Sequence, residues 1–218
     1  MDVTFENKYR KPCLVNIYSF IFAPSTIMAK PRDEQKIERI HAATLKLVQQ
    51  QGFGGLKMAE VAKEAQVATG TLYVYFKDKV ELINALYLHL KRKQAKHYLK
   101  PEDLDRPFKM SFRLVWENFL LVSLDYPEES AFIEQYYRSP FLRPEVRNEA
   151  DLLLQAAHDV LLRGQAEELI KPLDTSLLLA HLSGSILELV KWHYAGIIEL
   201  DRTNLDAPFS LAWDSVKR

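Results

Sequence analysis

Residues 57–76, KMAEVAKEAQVATGTLYVYF, decide how the rest of the chain is read. The first half places Met58, Ala59, Val61, Ala62 and Ala65 at helical spacing, so one face is apolar and mostly small. A small face lets another helix cross close to it. Gln66 and Val67 interrupt the pattern, and a second begins with Leu72 and Phe76, four apart and stacked on one side of a second helix. The opposite side presents Thr69, Tyr73 and the backbone of Gly70, with Val74 one turn on. A glycine in the first turn of a helix costs roughly 1 kcal/mol against alanine, so its presence implies that something large approaches the backbone there. A DNA groove is large enough.

The run from Lys57 to Leu82, and above all Thr69 to Lys79 (TGTLYVYFKDK), resembles the N-terminal domain of the TetR (tetracycline-repressor) family of bacterial transcription regulators. The likeness is strong over about residues 33–96 and weak beyond. It implies a helix-turn-helix in which Thr69, Gly70, Thr71 and Val74 approach base edges while Lys57, Tyr73, Tyr75, Lys77 and Lys79 hold phosphates. Tyrosine hydroxyls donate to phosphate oxygens, and Val74 or a threonine methyl suits a thymine methyl. Two positions depart from the family pattern. Gln66 stands where a turn glycine is usual, and Ala68 where a capping serine is usual. A lost cap typically costs ~0.5–2 kcal/mol. Thr69 can cap one residue late, which would shorten the second helix.

The net charge of zero hides an asymmetry. Residues 30–100 carry 14 Lys and Arg against 7 Asp and Glu, whereas residues 101–218 carry 12 against 20. A basic first half suits phosphate neutralisation, and an acidic second half is kept off DNA. Cys13 is the single cysteine, so no intrachain disulfide or paired-cysteine zinc spacing can form, and a cytoplasmic setting is expected. No apolar run reaches the ~18 residues of a membrane span.

Three segments follow from this reading: an N-terminal extension (1–29), a DNA-binding domain (30–100) and a helical effector-binding and dimerisation domain (101–218). In the extension, Lys8, Arg10 and Lys11 precede an apolar stretch with the outline of a secretory signal. Asn16, Tyr18 and Ser19 dilute it, and Met28 is a more natural start for this family; an arm that packs on the body or on DNA is the other reading. From Asp33, a capping candidate, Ile37, Ile40, Thr44, Leu47 and Val48 keep one apolar face until Gly52 stops the helix. Asp78 and Glu81 form a capping box for a fourth helix with Val80, Ile83, Tyr87 and Leu90 inward, its free amides beside Lys79 making an anion site.

Beyond Pro107 the pattern stays helical, and the fold expected is all-α. One amphipathic helix carries Phe108, Phe112, Val115, Trp116, Phe119 and Val122; a short one ends near Tyr137; another spans Glu145 to Arg163, terminated by Gly164. Residues 174–198 are apolar on nearly every side, so both faces are buried, one by the domain core and one by a partner. Together with residues 206–217, where Phe209, Ala212, Trp213 and Val216 recur at helical spacing, they are the expected homodimer interface. Two-fold proteins read two-fold sites, so the expected partner is a palindromic double-stranded operator.

No phosphate loop, nucleophile elbow or zinc-protease motif occurs, and no two of the six histidines stand at i, i+4. Catalytic residues, metal and cofactor are therefore expected to be none, and each histidine is read as a surface or satisfied core residue. The family resemblance implies a small-molecule effector in the second domain, for which Phe112, Trp116, Phe119, Tyr136, Tyr137, His158, His181, Glu188 and Trp192 are the candidates. An apolar cavity with a few polar anchors is the form such a site takes. The competing readings are a helical ligand-binding protein or enzyme with a vestigial DNA unit, and a regulator tethered to a membrane by residues 1–27.

Overall fold

The computed structural model describes residues 31–98 and 106–218. The expectations placed on residues 1–29, Cys13 and Met28 among them, lie outside the described residues. Among the described residues the chain is all-α, with one isolated bridge between Ile170 and Lys217. The helices are α1 (Pro31–Gly55), α2 (Met58–Glu64), α3 (Thr69–Tyr75), α4 (Lys79–Tyr98), α5 (Phe108–Asp125), α6 (Pro127–Tyr137), α7 (Pro144–Leu152), α8 (Gln155–Ala166), α9 (Thr175–Tyr194) and α10 (Asp206–Val216). None is long and apolar enough to cross a membrane.

Local chemistry accounts for most ends. Gly52, at φ 70°, breaks the helical path of α1, a conformation that costs glycine nothing. Backbone at Asp33 is already helical, so that residue lies inside α1 rather than at its cap. Pro127 and Pro144 sit in the first turns of α6 and α7, where the missing N–H would be unpaired anyway. Asp174 caps α9, its Oδ1 accepting from the amides of Ser176 (2.7 Å) and Leu177 (3.2 Å).

The helix expected from Glu145 to Arg163 is two. It breaks at Leu153–Leu154 because its halves serve different neighbours: Leu153 packs with Ala95 of α4, while Ala156, Val160 and Leu161 join the core around α5. Gly164 does not end α8, which runs on to Ala166. It is buried where a Cβ would overlap the Phe108 ring, so this glycine exists for close approach.

There are two main hydrophobic cores. One gathers Ile40, Val48, Leu56, Val61, Leu72, Leu82, Ile83, Leu86 and Tyr87 from α1–α4 and takes in Phe132, Tyr136, Leu142 and Ala150. It therefore crosses the division expected at residues 100 and 101. The other is built from α5, α8, α9 and α10 around Phe108, Phe112, Trp116, Ile186 and Phe209.

Alongside α4, helices α6 and α7 form a hairpin. Glu129 pairs with Lys93 (2.6 Å), Ser130 accepts from Gln94 (3.1 Å), the Tyr136 ring lies 5.6 Å from that of Tyr87, and the Phe141 carbonyl accepts from Asn84 (3.0 Å). This register carries α6 down α4 towards its N-terminus. Helix α7 climbs back, with Glu149 paired to Arg92 and Leu153 against Ala95.

Candidate nucleic-acid interface

Helices α2 and α3 cross through the small face expected, with Val61, Ala62, Ala65 and Leu72 buried and Phe76 closing the lower edge. Ala59 is an exception: it faces solvent, and Met58 takes the inner position. Between the helices Gln66 adopts φ 56°, the left-handed conformation that the family's glycine enters without strain. A non-glycine residue pays roughly 1–2 kcal/mol there. The turn holds nonetheless, since the Val67 amide donates to the Ala62 carbonyl (2.9 Å).

Ala68 is the N-cap of α3, in extended conformation and with no side chain to accept from the helix amides. Thr69 is the first helical residue, so it does not cap, and α3 is not shortened. The Leu72 amide still closes the first turn on the Ala68 carbonyl (3.1 Å).

On the outer face of α3, Thr69 and Gly70 are exposed, Tyr73 is 52% and Val74 81% exposed. An added Cβ at Gly70 would meet nothing within 4 Å, so internal packing does not require this glycine. Thr71 is half-buried, as is Tyr75, which packs on the first core. Lys57 is exposed and donates to Glu60 Oε1 (3.0 Å). Hydrogen bonds from Gln51 and Lys57 hold the Glu60 carboxyl below its ordinary range.

At the head of α4, Lys77 is exposed, and Lys79 is half-buried with its Nζ donating to the Gly54 carbonyl (3.1 Å). That bond ties α4 to the α1–α2 turn. The capping pair forms: Asp78 Oδ1 accepts from the Glu81 amide (2.8 Å), and Glu81 Oε2 accepts from the Lys77 amide (2.8 Å). Two of the amides expected to face a phosphate are thus occupied by the chain's own carboxylates.

One residue behind this face departs from expectation. His41 on α1 is buried with neither ring nitrogen hydrogen-bonded, 4.7 Å from the His89 ring and 5.9 Å from Phe76, the residue that ends α3. Burial, reinforced by His89, lowers its pKa to about 3. His41 is therefore a core histidine, but an unsatisfied one. The signal available was its spacing, three and seven residues before the buried Thr44 and Val48.

A profile of bacterial regulatory proteins of the tetR family matches residues 40–86, and a tetracyclin repressor-like C-terminal domain matches residues 107–217, half of the chain. The chain belongs to the TetR family. Over 111 residues it is 32% identical to an uncharacterized HTH-type transcriptional regulator of Haemophilus influenzae, an alignment spanning 51% of this chain and 59% of that relative. A TetR family transcription regulator from Marinobacter aquaeolei has the same fold, with TM-score 0.80 at 24% identity over 87% of this chain and 99% of that one. A candidate TetR family regulator from Vibrio parahaemolyticus gives TM-score 0.72 at 27% identity over 84% and 99%. The chain is thus a DNA-binding transcription regulator of the TetR family and not an enzyme.

In this TetR protein the residues expected around an effector do not surround one cavity. Phe112 and Trp116 are buried in the second core against Phe209, at 6.1 and 5.8 Å between ring centres. Phe119 packs on Tyr98 (5.1 Å). Tyr136 belongs to the first core, its hydroxyl donating to the Phe141 carbonyl (3.1 Å). Tyr137 is exposed beneath the Arg147 guanidinium (4.7 Å). His158 is buried against Thr175 (2.8 Å), and burial lowers its pKa. His181, Glu188 and Trp192 lie on the exposed face of α9, where Trp192 Nε1 donates to Glu188 (2.8 Å). Aromatic residues at helical spacing were serving two cores and an outer face.

A groove of about 440 Å³ opens instead between α5 and α10, with Met110, Phe209 and Trp213 in its lining. Lys109 stands over the Trp213 ring (5.1 Å) and Arg113 over Phe209 (5.0 Å), Arg113 being paired with Glu117 (2.7 Å) and Asp206 (2.6 Å). Among the described residues no group of three His, Cys, Asp or Glu could hold a metal ion.

Proposed function

We propose that this TetR regulator is a homodimeric repressor that binds a palindromic operator through α3 and leaves it when a small molecule occupies the second domain. The observation that carries the reading is the outer face of α3: an 81% exposed valine beside a glycine that no internal contact demands. Thr69, Gly70, Thr71 and Val74 read bases, and Lys57, Tyr73, Tyr75, Lys77 and Lys79 hold the backbone. Lys79 exchanges its bond to the Gly54 carbonyl for a phosphate.

Dimerisation is supported by the face of α9 that its own domain leaves open. Leu177 is 58% and Trp192 46% exposed there, and Gly184 between them leaves room for a second helix. From α10 the contribution is smaller, because Phe209, Ala212 and Val216 are spent on the core and Leu211 is the large apolar side chain left outward. The groove between α5 and α10 is one opening in the second domain where we place an effector, and such a ligand acts only if it favours the DNA-incompetent arrangement.

Gel shifts across a salt series, on duplex selected from a random pool, test this. Lys79→Ala should weaken all duplexes about equally and lower the salt slope by ~1, whereas Thr71→Ala should change sequence preference. Unchanged binding in both variants would sink the assignment of these residues. A selected site without two-fold symmetry would remove the dimeric reading.

A further inference from the structure

The second half of the chain is acidic, yet its segment Arg138-Ser-Pro-Phe-Leu-Arg-Pro-Glu-Val-Arg147 carries three arginines against one glutamate. This is the tip of the α6–α7 hairpin. Arg138 and Arg143 are exposed, as are Pro140 and Pro144, and Phe141 is 50% exposed. Arg138 lies 3.4 Å from Glu134, which also pairs with Lys191, and Arg143 has no carboxylate partner among the described residues.

The tip is held in a defined place. Asn84, buried on α4, donates from Nδ2 to the carbonyls of Val80 (2.8 Å) and Phe141 (3.0 Å) and accepts from the Arg143 amide at Oδ1 (3.0 Å). Tyr136 adds a second donor to the Phe141 carbonyl, and Leu142 is buried in the first core. Asn84 follows Lys79 by five residues, about 7.5 Å along the helix. Phe53, next to the Gly54 whose carbonyl binds Lys79, lies 5.1 Å from the Tyr136 ring. The hairpin tip therefore borders both the head of α4 and the α1–α2 turn, the two places where the DNA backbone is expected.

We propose that the α6–α7 tip is a further nucleic-acid contact, in which Arg138 and Arg143 bind phosphates flanking those held by α3 and α4. Asn84 is the positioning residue, because it fixes the backbone on either side of Leu142. The inference rests on the family's DNA binding and adds to it a contact from the second domain. Successive phosphates of one strand rise ~3.4 Å along the duplex, so the tip reaches positions a few phosphates outward. Unlike residues 101–218 taken together, the tip has the charge for this. It would also let any shift of the second domain change DNA affinity directly.

The test uses the full chain and a selected duplex extended by random sequence on both sides. Replacing Arg138 and Arg143 together by glutamine should lower affinity about 5- to 20-fold at moderate salt. The log–log salt slope should become shallower by about 1–2 per protomer. Hydroxyl-radical protection should be lost at the flanks and kept at the centre. Asn84→Leu should lose the same flank protection and add little to the arginine double variant. Arg202→Gln, which breaks a pair with Asp125 at the C-terminal end of α5, is the charge control and should change neither slope nor footprint. Identical slope and flank protection in the arginine variant, with Lys79→Ala still weakening binding, overturns the proposal alone. Loss of half as much slope in Arg202→Gln, which removes one positive charge where the arginine variant removes two, overturns it too, because net charge would then explain the effect. If the wild-type chain protects no duplex at low salt, the DNA-binding reading falls first and this one with it.

Discussion

Gly164 and Gly70 stand in different parts of this protein for opposite reasons. At Gly164 the Phe108 ring occupies the space that a Cβ would need, so the second core dictates glycine from inside. At Gly70 an added Cβ would meet nothing within 4 Å, so no contact inside the chain demands glycine there. The difference separates a body closed around aromatic rings from an outer helix face that its own chain leaves open. It also separates the expected results of changing each.

The largest effect belongs to the closed body. Gly164→Ala drives a methyl group into Phe108, and overpacking of this kind costs typically ~1–3 kcal/mol. Thermal unfolding of the variant should show the loss, and a second change, Phe108→Leu, should return part of it by removing the ring. If Gly164→Ala unfolds at the wild-type temperature, the second core is looser than its packing implies and the contrast with Gly70 collapses.

The reading unit has its own internal flaw, and pH exposes it. His41 is neutral when folded, with its pKa lowered to about 3 from an ordinary 6.5. Protonation therefore favours the unfolded chain. Stability is fully present above pH 6.5 and falls as pH drops from there to about 3. Each unit of separation is worth ~1.4 kcal/mol, so the loss by pH 5 is on the order of 2 kcal/mol. Nearby, His89 is also lowered by burial, opposed by Glu38 at 3.5 Å, and it shares in the same slope. His41→Leu removes two unsatisfied nitrogens and should be neutral or stabilising at pH 7 while flattening the acid dependence. Denaturant melts at pH 7 and pH 5 check both statements; an unchanged difference between the two pH values in His41→Leu would clear His41 of the role.

Much of the first region was legible because its residues answer to local rules. Leu72 and Phe76 face inward, Asp78 and Glu81 cap α4, and Gly52 breaks α1, each from a pattern a few residues long. The start of α3 is less legible: Thr69 could cap, but Ala68 already has the extended backbone of a cap, so the helix begins at Thr69 without a side-chain cap. What could not be read was assignment to one core or another. Tyr136 and Trp116 look alike as inward aromatics, yet one completes the reading body and the other the second core. Nor does periodicity distinguish an exposed side from a core-facing one, and His181, Glu188 and Trp192 lie on an exposed side of α9.

The smallest change is expected at Gly70, and it is the one that divides folding from function. Alanine in a helical position is worth up to ~1 kcal/mol over glycine, and no neighbour opposes the added methyl group. Gly70→Ala should therefore raise the unfolding temperature by a few degrees or leave it unchanged. DNA affinity should move the other way, because the methyl group stands where the backbone meets a groove edge. Gly164→Ala should show the reverse pairing, with stability reduced and affinity retained by the molecules still folded. A Gly70→Ala protein that is more stable and binds its selected duplex as tightly as wild type would mean that nothing approaches this backbone. The outer face of α3 would then be read through Thr71, Tyr73 and Val74 alone, and Gly70 would be a tolerated weakness in the helix.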